Sequence, residues 1–420
     1  MKITDRLTLR RIQQKRLQIF RRRVMRRTKF YQDRWSVPLR ELPIINKAQY
    51  LDDFGSFNTK GIDYHDALAA SDLAAQRHGK STQLSGITIG FSTGTTGRRG
   101  VFLATPTERI RWLGVILART LPNGFFSHNR IALFLAANSK LYQTTSTLPN
   151  LQFQFFDLHK DIESHVERLN KFSPTVLVGT ALSLRLLSVL KRDGSLRITP
   201  KHVISGGEVL EQHDATFIHE TFGEPPGQIY QCTEGFFGAT CPYGTIHLNE
   251  DFQIFEKEWV DRKSGRFVPI VTDLSRDTQA LVRYRMNDIL VEKTSICECG
   301  SVLAGVEKIE GRCDDAFLVP SSDGLHTITV LPEVLRTAVS SALTSIDDYR
   351  LKQSAPMQIS LTLPDRANSE EVALIEKLIT EKLSKMGCKI PNIQTLFGID
   401  HSMHKKLRRI ERSFAIGIEI

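Results

Sequence analysis

The sequence predicts an α/β protein: a large N-terminal domain of mixed sheets and helices over residues 1–311, then a small α+β domain over 312–420. Three observations carry this expectation. A chain of 420 residues, 41% hydrophobic and 24% charged, is long enough for two or three domains with a sizeable core. Short apolar runs of the buried-strand type alternate with segments of helical period through most of the chain. Beyond residue 312 the pattern becomes strand, helix, strand, which puts the domain boundary near Gly311 to Asp315.

In chain order, residues 1–50 hold fifteen Lys and Arg against Asp5, Asp33 and Glu41, a surplus that exceeds the net charge of +10 for the whole chain. Ile3, Leu7, Ile12, Phe20 and Val24 recur among these cations at loosely helical spacing, so the segment reads as a basic amphipathic helix. Such a helix suits an acidic protein partner or an anionic surface. Nucleic acid is not expected, because no helix-turn-helix, zinc-finger or RNA-binding-sheet signature accompanies it. Helices continue to about residue 54, and residues 87–100 read as a strand running into a glycine-rich loop. Residues 109–120 are helical by period, 129–137 and 174–180 are buried strands, and 183–194 is a helix stopped by Gly194. Two strand-plus-turn units follow at 201–208 and 227–235, then alternating antiparallel strands between 247 and 291. In the last domain, 357–365 is a strand, 369–387 a helix capped by Ser369 and ended by Gly387, and 392–399 a strand.

No run approaches the roughly 20 apolar residues of a membrane span, and charges occupy the place of a signal peptide's apolar stretch. A cytoplasmic protein is expected. Six cysteines are too few for a secreted disulfide framework. Average Gly and Pro usage without a repeat period excludes fibrous and solenoid architectures.

Four segments carry chemistry. In Ser92-Thr93-Gly94-Thr95-Thr96-Gly97-Arg98-Arg99-Gly100, glycines let backbone N–H groups approach an anion, hydroxyls add donors, and arginines neutralise charge, which suits a polyphosphate. The pattern is neither a Walker loop nor a dinucleotide fingerprint. Ser205-Gly206-Gly207-Glu208 precedes Tyr230-Gln231-Cys232-Thr233-Glu234-Gly235, where a carboxylate beside a hydroxyl and a ring could hold Mg²⁺ near a stacked base. Asp288, after an Arg-rich strand, could accept from two ribose hydroxyls. Gly311-Arg312-Cys313-Asp314-Asp315 stands at the domain boundary.

The order and spacing of these motifs resemble the adenylate-forming superfamily, in particular its phenylacetate–CoA ligase-like branch, which includes enzymes that adenylylate a deazaflavin cofactor. The likeness runs from Phe30-Tyr31 and Leu42-Pro43-Ile44-Ile45-Asn46-Lys47 to the basic C-terminal segment. It implies an acid–thiol ligase: a carboxylate attacks the α-phosphorus of ATP to give an acyl-adenylate and pyrophosphate, and a thiol of CoA or of carrier-protein phosphopantetheine then displaces AMP. By motif, Ser92, Thr93, Gly94, Thr95, Thr96, Gly97 and Arg98 would cradle the β- and γ-phosphates. Gly207 and Glu208 would line the adenine pocket, Tyr230 would stack on the base, Thr233 would contact the α-phosphate and Glu234 would bind Mg²⁺. Asp288 would hold the ribose with Arg312 nearby, and Asp314 would be the hinge of the C-terminal lid. Lys406, three before Arg409, fits the catalytic lysine, with Lys405 as the alternative.

Two departures stand out: Ala316 to Gly324 replaces the glycine turn usual after the hinge, and the phosphate loop ends Arg98-Arg99-Gly100 in place of the usual Lys-Pro-Lys-Gly. The resemblance also gives Cys241, His247, Cys297 and Cys299 a role. Three thiolates and one imidazole make a closed tetrahedral set suited to structural Zn²⁺. Phe134, Ala136, Gly179, Phe236 and Phe237 are candidates for an acyl pocket fitting an aromatic or medium-length acid. The basic N-terminal segment would suit an acidic acyl carrier protein. A disabled adenylation fold acting as a docking protein is the alternative function.

Overall fold

The computed structural model describes residues 3, 5–76, 83–84, 86–92, 98–121, 124, 127–135, 150–342, 348–400 and 406–414. Thr93, Gly94, Thr95, Thr96, Gly97, Ala136 and Lys405 therefore lie outside the described residues.

A sheet of twelve strands among the described residues organises the first three-quarters of the chain. Leu151–Asp157, Asn129–Leu135, Val176–Gly179, His202–Gly206 and Gly227–Gln231 lie side by side in parallel. Helices such as Ala181–Arg192 and Gln212–Phe222 connect them, as parallel crossovers require. Beyond Gly227–Gln231 the sheet turns antiparallel through Phe236–Thr240, Ile246–Leu248, Gly305–Arg312, Asp288–Lys293, Arg266–Asp273 and Gln253–Asp261. The change falls across the tight turn at Cys232–Gly235, where Cys232 N donates to Gly235 O at 2.9 Å. The strand Leu151–Asp157 escaped the sequence reading because Gln152 and Gln154 break its apolar run, which edge position in the sheet permits.

The glycine-rich loop begins after the strand Ile87–Phe91, as expected, and returns into an antiparallel partner, Val101–Ala104. Its base is closed by Ser92 N donating to Gly100 O and Gly100 N donating to Ser92 Oγ, both at 2.8 Å.

The N-terminal helix Arg6–Arg23 is capped by Asp5 and packs on the body through Leu9 and Phe20. Arg6 pairs with Glu250 at 2.6 Å and the guanidinium of Arg16 lies 4.1 Å over the Phe252 ring. Leu7 faces solvent, so the buried stripe runs through Leu9 and not Leu7 as the spacing suggested. Arg10, Arg11, Lys15, Arg22 and Arg23 remain exposed.

The large sheet ends at Arg312, and the short turn Cys313–Asp315 leads into a hairpin, Phe317–Pro320 with Thr327–Val330. That hairpin occupies the place of the expected glycine turn. A four-stranded sheet in the order Asn392–Phe397, Gln358–Leu363, Arg350–Ala355, Ile410–Arg412 follows. The helix Ser369–Lys385 covers it with Ile375, Ile379 and Leu383, each contributing about 1.5–3 kcal/mol by burial. Its cap is Asn368 in a capping box with Glu371, one residue before the expected Ser369, because Asn368 holds the extended backbone that the cap requires. Among the described residues, no helix is long and apolar enough to cross a membrane.

Candidate active site

A cavity of about 500 Å³ opens at the carboxyl ends of His202–Gly206 and Gly227–Gln231, where the parallel half of the sheet gives way to the antiparallel half. Ligands bind at this place in open α/β sheets, since crossover loops diverge there. Ser92, Arg98, Gly207, Glu208, Tyr230, Thr233, Glu234, Asp288, Arg312 and Lys406 all line it. The described residues expected to touch the nucleotide or its Mg²⁺, together with the expected catalytic lysine, thus line one space.

Local chemistry explains the placement. Gly207 follows its strand with φ +81°, a left-handed turn that swings Glu208 over the strand end, and an alanine there would cost about 1–2 kcal/mol. Glu208 is tied to two elements: its carboxylate accepts from Leu182 N at 3.1 Å, in the first turn of the helix Ala181–Arg192, and from Leu407 N at 2.9 Å. The expected adenine-pocket residue therefore also holds the backbone of the lysine loop. A Cβ on Gly100 would lie 3.5 Å from Cβ of Thr233, so that turn abuts the base of the glycine-rich loop.

Tyr230 is buried, and its hydroxyl donates to Asp288 Oδ2 at 3.0 Å, while the Cys232 thiol reaches the same oxygen at 3.5 Å. Burial, and next the Asp288 carboxylate, push both the Tyr230 phenol and the Cys232 thiol well above their usual ranges, so both stay protonated. Arg312 Nε stands 3.8 Å from Asp288 Oδ1. Glu234 accepts from the Tyr284 hydroxyl at 3.1 Å, and Arg276 holds the Glu234 carbonyl at 2.7 Å. Asp314 Oδ2 accepts from Asn287 Nδ2 at 2.6 Å, which ties the turn at 313–315 to the strand end before Asp288.

Lys406 comes from the last described segment and reaches the same cavity. Burial, and next the Arg312 guanidinium, lower its pKa, against opposition from Cys232, Glu208 and Asp288. Its placement is explained by Arg409, three residues on, which is almost wholly buried. Arg409 contacts Asp214 Oδ2 at 2.5 Å, Asp348 Oδ1 at 2.7 Å and Glu211 Oε2 at 3.6 Å. Glu211 also pairs with Arg336 at 3.0 Å, and Asp214 with Arg185 at 3.1 Å. This buried network joins the helix Gln212–Phe222 to the C-terminal sheet and fixes the loop that carries Lys406. Burial alone would push the Asp348 carboxyl up, but Arg409 and Arg350 outweigh it and hold it at about 2. Asp348 thus stabilises the fold above the ordinary carboxylate range, and this stability is lost as pH falls through about 2. Sequence reasoning missed these partners because nothing local distinguishes Glu211, Asp214 or Asp348 from a solvated acid.

The acyl-pocket expectation is corrected. Phe134 stacks on Phe156 at 4.9 Å within the core, Phe236 and Phe237 are buried, and neither these nor Gly179 line the cavity. Their apolar character serves sheet packing.

Away from the cavity, Cys241, His247, Cys297 and Cys299 come together with all ligand atoms within 4.8 Å of one another. Cys241 and Cys297 sulfurs are 3.6 Å apart, and Cys299 Sγ is 3.2 Å from His247 Nε2. His247 Nδ1 donates to the Leu303 carbonyl at 3.0 Å, which leaves Nε2 free to ligate. Sulfurs bound at about 2.3 Å to one tetrahedral ion are separated by roughly 3.8 Å, so the set fits zinc.

No protein-family model and no curated protein matches the sequence. Solved structures do match. A 2-hydroxyisobutyryl-CoA ligase in its postadenylation state superimposes with a TM-score of 0.69 at 15% identity, covering 96% of this chain and 89% of its own. The same ligase with an adenylate and CoA in its thioesterification state scores 0.56 at 15% identity, with 96% and 89% covered. The amide bond synthetase McbA from Marinactinospora thermotolerans scores 0.54 at 14% identity over 76% of this chain and 68% of its own. At these identities the likeness is one of fold: this chain has the fold of these ligases.

Proposed function

We propose that this chain is an acid–thiol ligase that activates a carboxylic acid with ATP as an acyl-adenylate and then passes the acyl group to a thiol of CoA or of a carrier protein. The observation that carries the reading is the convergence of Ser92, Arg98, Gly207, Glu208, Tyr230, Thr233, Glu234, Asp288, Arg312 and Lys406 on one cavity at the sheet's switch point. In this reading residues 1–311 bind the nucleotide and 312–420 form a lid that turns about Asp314.

In the first step the carboxylate oxygen attacks the α-phosphorus, and the bond to the bridging oxygen breaks to release pyrophosphate. Little covalent participation by protein is needed, so positioning and charge neutralisation dominate. Asp288 accepts from the ribose, Tyr230 borders the base, Thr233 donates to the α-phosphate, and Lys406 bridges that phosphate and the attacking carboxylate. Glu234 supplies a carboxylate oxygen for Mg²⁺, which neutralises the phosphates when bound. The better superposition on the postadenylation than on the thioesterification form of the ligase supports a C-terminal segment placed as in that postadenylation form.

ATP–pyrophosphate exchange over a panel of aromatic and aliphatic acids tests the reading. An acid-dependent exchange is expected, and ATP binding with no exchange for any acid would favour a docking role. Glu234→Gln should raise the Mg²⁺ requirement of that exchange at least about tenfold, and an unchanged Mg²⁺ titration would remove Glu234 from the metal site.

Zinc held by Cys241, His247, Cys297 and Cys299 would pin the hairpin around residue 244 to the loop at 297–300, a structural role, since four protein ligands leave no open position. Purified protein should contain about one equivalent of zinc, lost in Cys299→Ser together with thermal stability. Metal-free, fully stable protein would return these residues to ordinary packing. The exposed arginines of the helix Arg6–Arg23 support docking of an acidic carrier protein.

A further inference from the structure

The phosphate loop lacks the lysine usual in its family, and the cations around its base are already engaged. Arg98 pairs with Asp52. Arg99 donates from Nε to the Ser92 carbonyl at 2.9 Å, with its guanidinium 5.1 Å over the Phe91 ring. Arg276 is held by the Glu234 carbonyl at 2.7 Å and stands 3.6 Å from Asp273. A triphosphate entering here brings more negative charge than the exposed Arg98 alone offsets, so a second cation beside it would be used.

Lys47 is placed to be that cation. It begins the short helix Lys47–Asp52 and lines the cavity together with Ser92, Arg98, Gly100, Thr233 and Glu234. It also borders a smaller adjoining pocket shared with Gly100, Glu234, Arg276 and Tyr284. Among the described residues it is in no ion pair, although Glu234 and Asp52 line the same cavity.

Its position is built with care for a residue so far from the other motifs in sequence. Asn46 and Gln49 form a capping box that fixes the first turn of the helix. Just before it, Ile45 bridges Tyr284: Ile45 N donates to the Arg283 carbonyl at 3.1 Å and Arg285 N to the Ile45 carbonyl at 2.9 Å. Arg283 adopts φ 45°, uncommon for a residue with a side chain, and its guanidinium donates to the Arg40 carbonyl at 2.8 Å and to the Leu42 carbonyl at 2.5 Å. Tyr284, so anchored, is the residue whose hydroxyl holds Glu234. On the next turn of the helix, Tyr50 is buried edge-on to Tyr284 at 5.4 Å and accepts from Gln279 at 3.1 Å. One framework thus fixes both the candidate metal carboxylate and Lys47.

We propose that Lys47 binds the terminal phosphates of ATP and the departing pyrophosphate, supplying from the N-terminal segment a lysine that the glycine-rich loop, with Arg98 and Arg99, does not carry. The inference rests on the nucleotide reading of the cavity and assigns a residue to it. As the bond to the α-phosphorus breaks, negative charge accumulates on pyrophosphate, and Lys47 stabilises it there while Lys406 serves the α-phosphate. Asp52, five residues on, meanwhile holds Arg98 at the rim.

The test is nucleotide binding by calorimetry, which requires no knowledge of the acid. Wild type, Lys47→Met and Lys47→Arg are titrated with Mg·ATP and with AMP. A charge-assisted contact to phosphate is worth about ten- to a hundredfold in affinity, so Lys47→Met should weaken Mg·ATP by that factor and leave AMP unchanged. Lys47→Arg should restore most of the loss. Equal weakening of both nucleotides would reveal a structural role and overturn the inference, as would unchanged Mg·ATP binding. Wild type that binds neither nucleotide would overturn the reading of the cavity itself, a result distinct from failure at Lys47 alone.

Discussion

Lys406→Ala is expected to lower the rate of adenylate formation by about 10²–10³-fold, the usual cost of removing one preorganised donor from a developing anion. Hydrolysis of, or acyl transfer from, a chemically prepared acyl-adenylate should be spared, because that step no longer needs the bridge between carboxylate and α-phosphate. Pyrophosphate release and adenylate consumption, measured separately, check both halves. Unchanged adenylation would pass the role to Lys405. The lysine acts as a cation, and burial followed by the neighbouring Arg312 lowers its pKa. Adenylation should therefore fall as pH rises through a midpoint below the ordinary lysine range of about 10.4. Lys406→Arg, which keeps its charge, should abolish that alkaline limb even where the rate itself is reduced.

The second large effect is expected at Arg409. Its guanidinium is buried between Asp214 on the helix Gln212–Phe222 and Asp348 at the edge of the C-terminal sheet. Arg409→Met should cost about 3–5 kcal/mol, since removing one partner of a buried ion network leaves its carboxylates desolvated and unpaired. Chemical denaturation measures this loss. Adenylation should fall as well, although Lys406 is untouched, because the loop that delivers it loses its anchor. Asp214→Asn should be milder alone and should add little to Arg409→Met, the non-additivity of residues in one network. Strict additivity would mean that Arg409 and Asp214 are not coupled, and an unchanged denaturation midpoint would mean that the network does not hold the C-terminal sheet to the helix Gln212–Phe222.

Much of this protein could be read from local features of the chain. Alternation and helical period located several elements flanking the site, among them Ile87–Phe91, His202–Gly206, Gly227–Gln231 and Asp288–Lys293, because those signals depend on neighbours a few residues apart, but not the helix Gln212–Phe222 or the strand Gly305–Arg312. The turn after Gly206 and the Cys232–Gly235 turn were legible for the same reason: glycine and short polar side chains dictate backbone direction locally. Asp288 and Lys406 were legible through motif order, before anything said that they meet.

What only the tertiary structure decided involves partners far apart in sequence. Arg409 meets Asp214 across 195 positions, and Arg283 reaches the Leu42 carbonyl across 241. Nothing local distinguishes Asp214 from a solvated acid, or Lys47 from an ordinary surface lysine. Phe134 and Phe237 looked equally fit for a substrate pocket or a core, and sheet packing chose the core. Apolar pattern specifies which face is buried, whereas the identity of what faces it is fixed only when the strands pair. The sequence by itself therefore determined many of the elements and the motifs they carry, and the tertiary structure decided which of their charges are paired and with what, because those partners meet only when distant strands and helices pack.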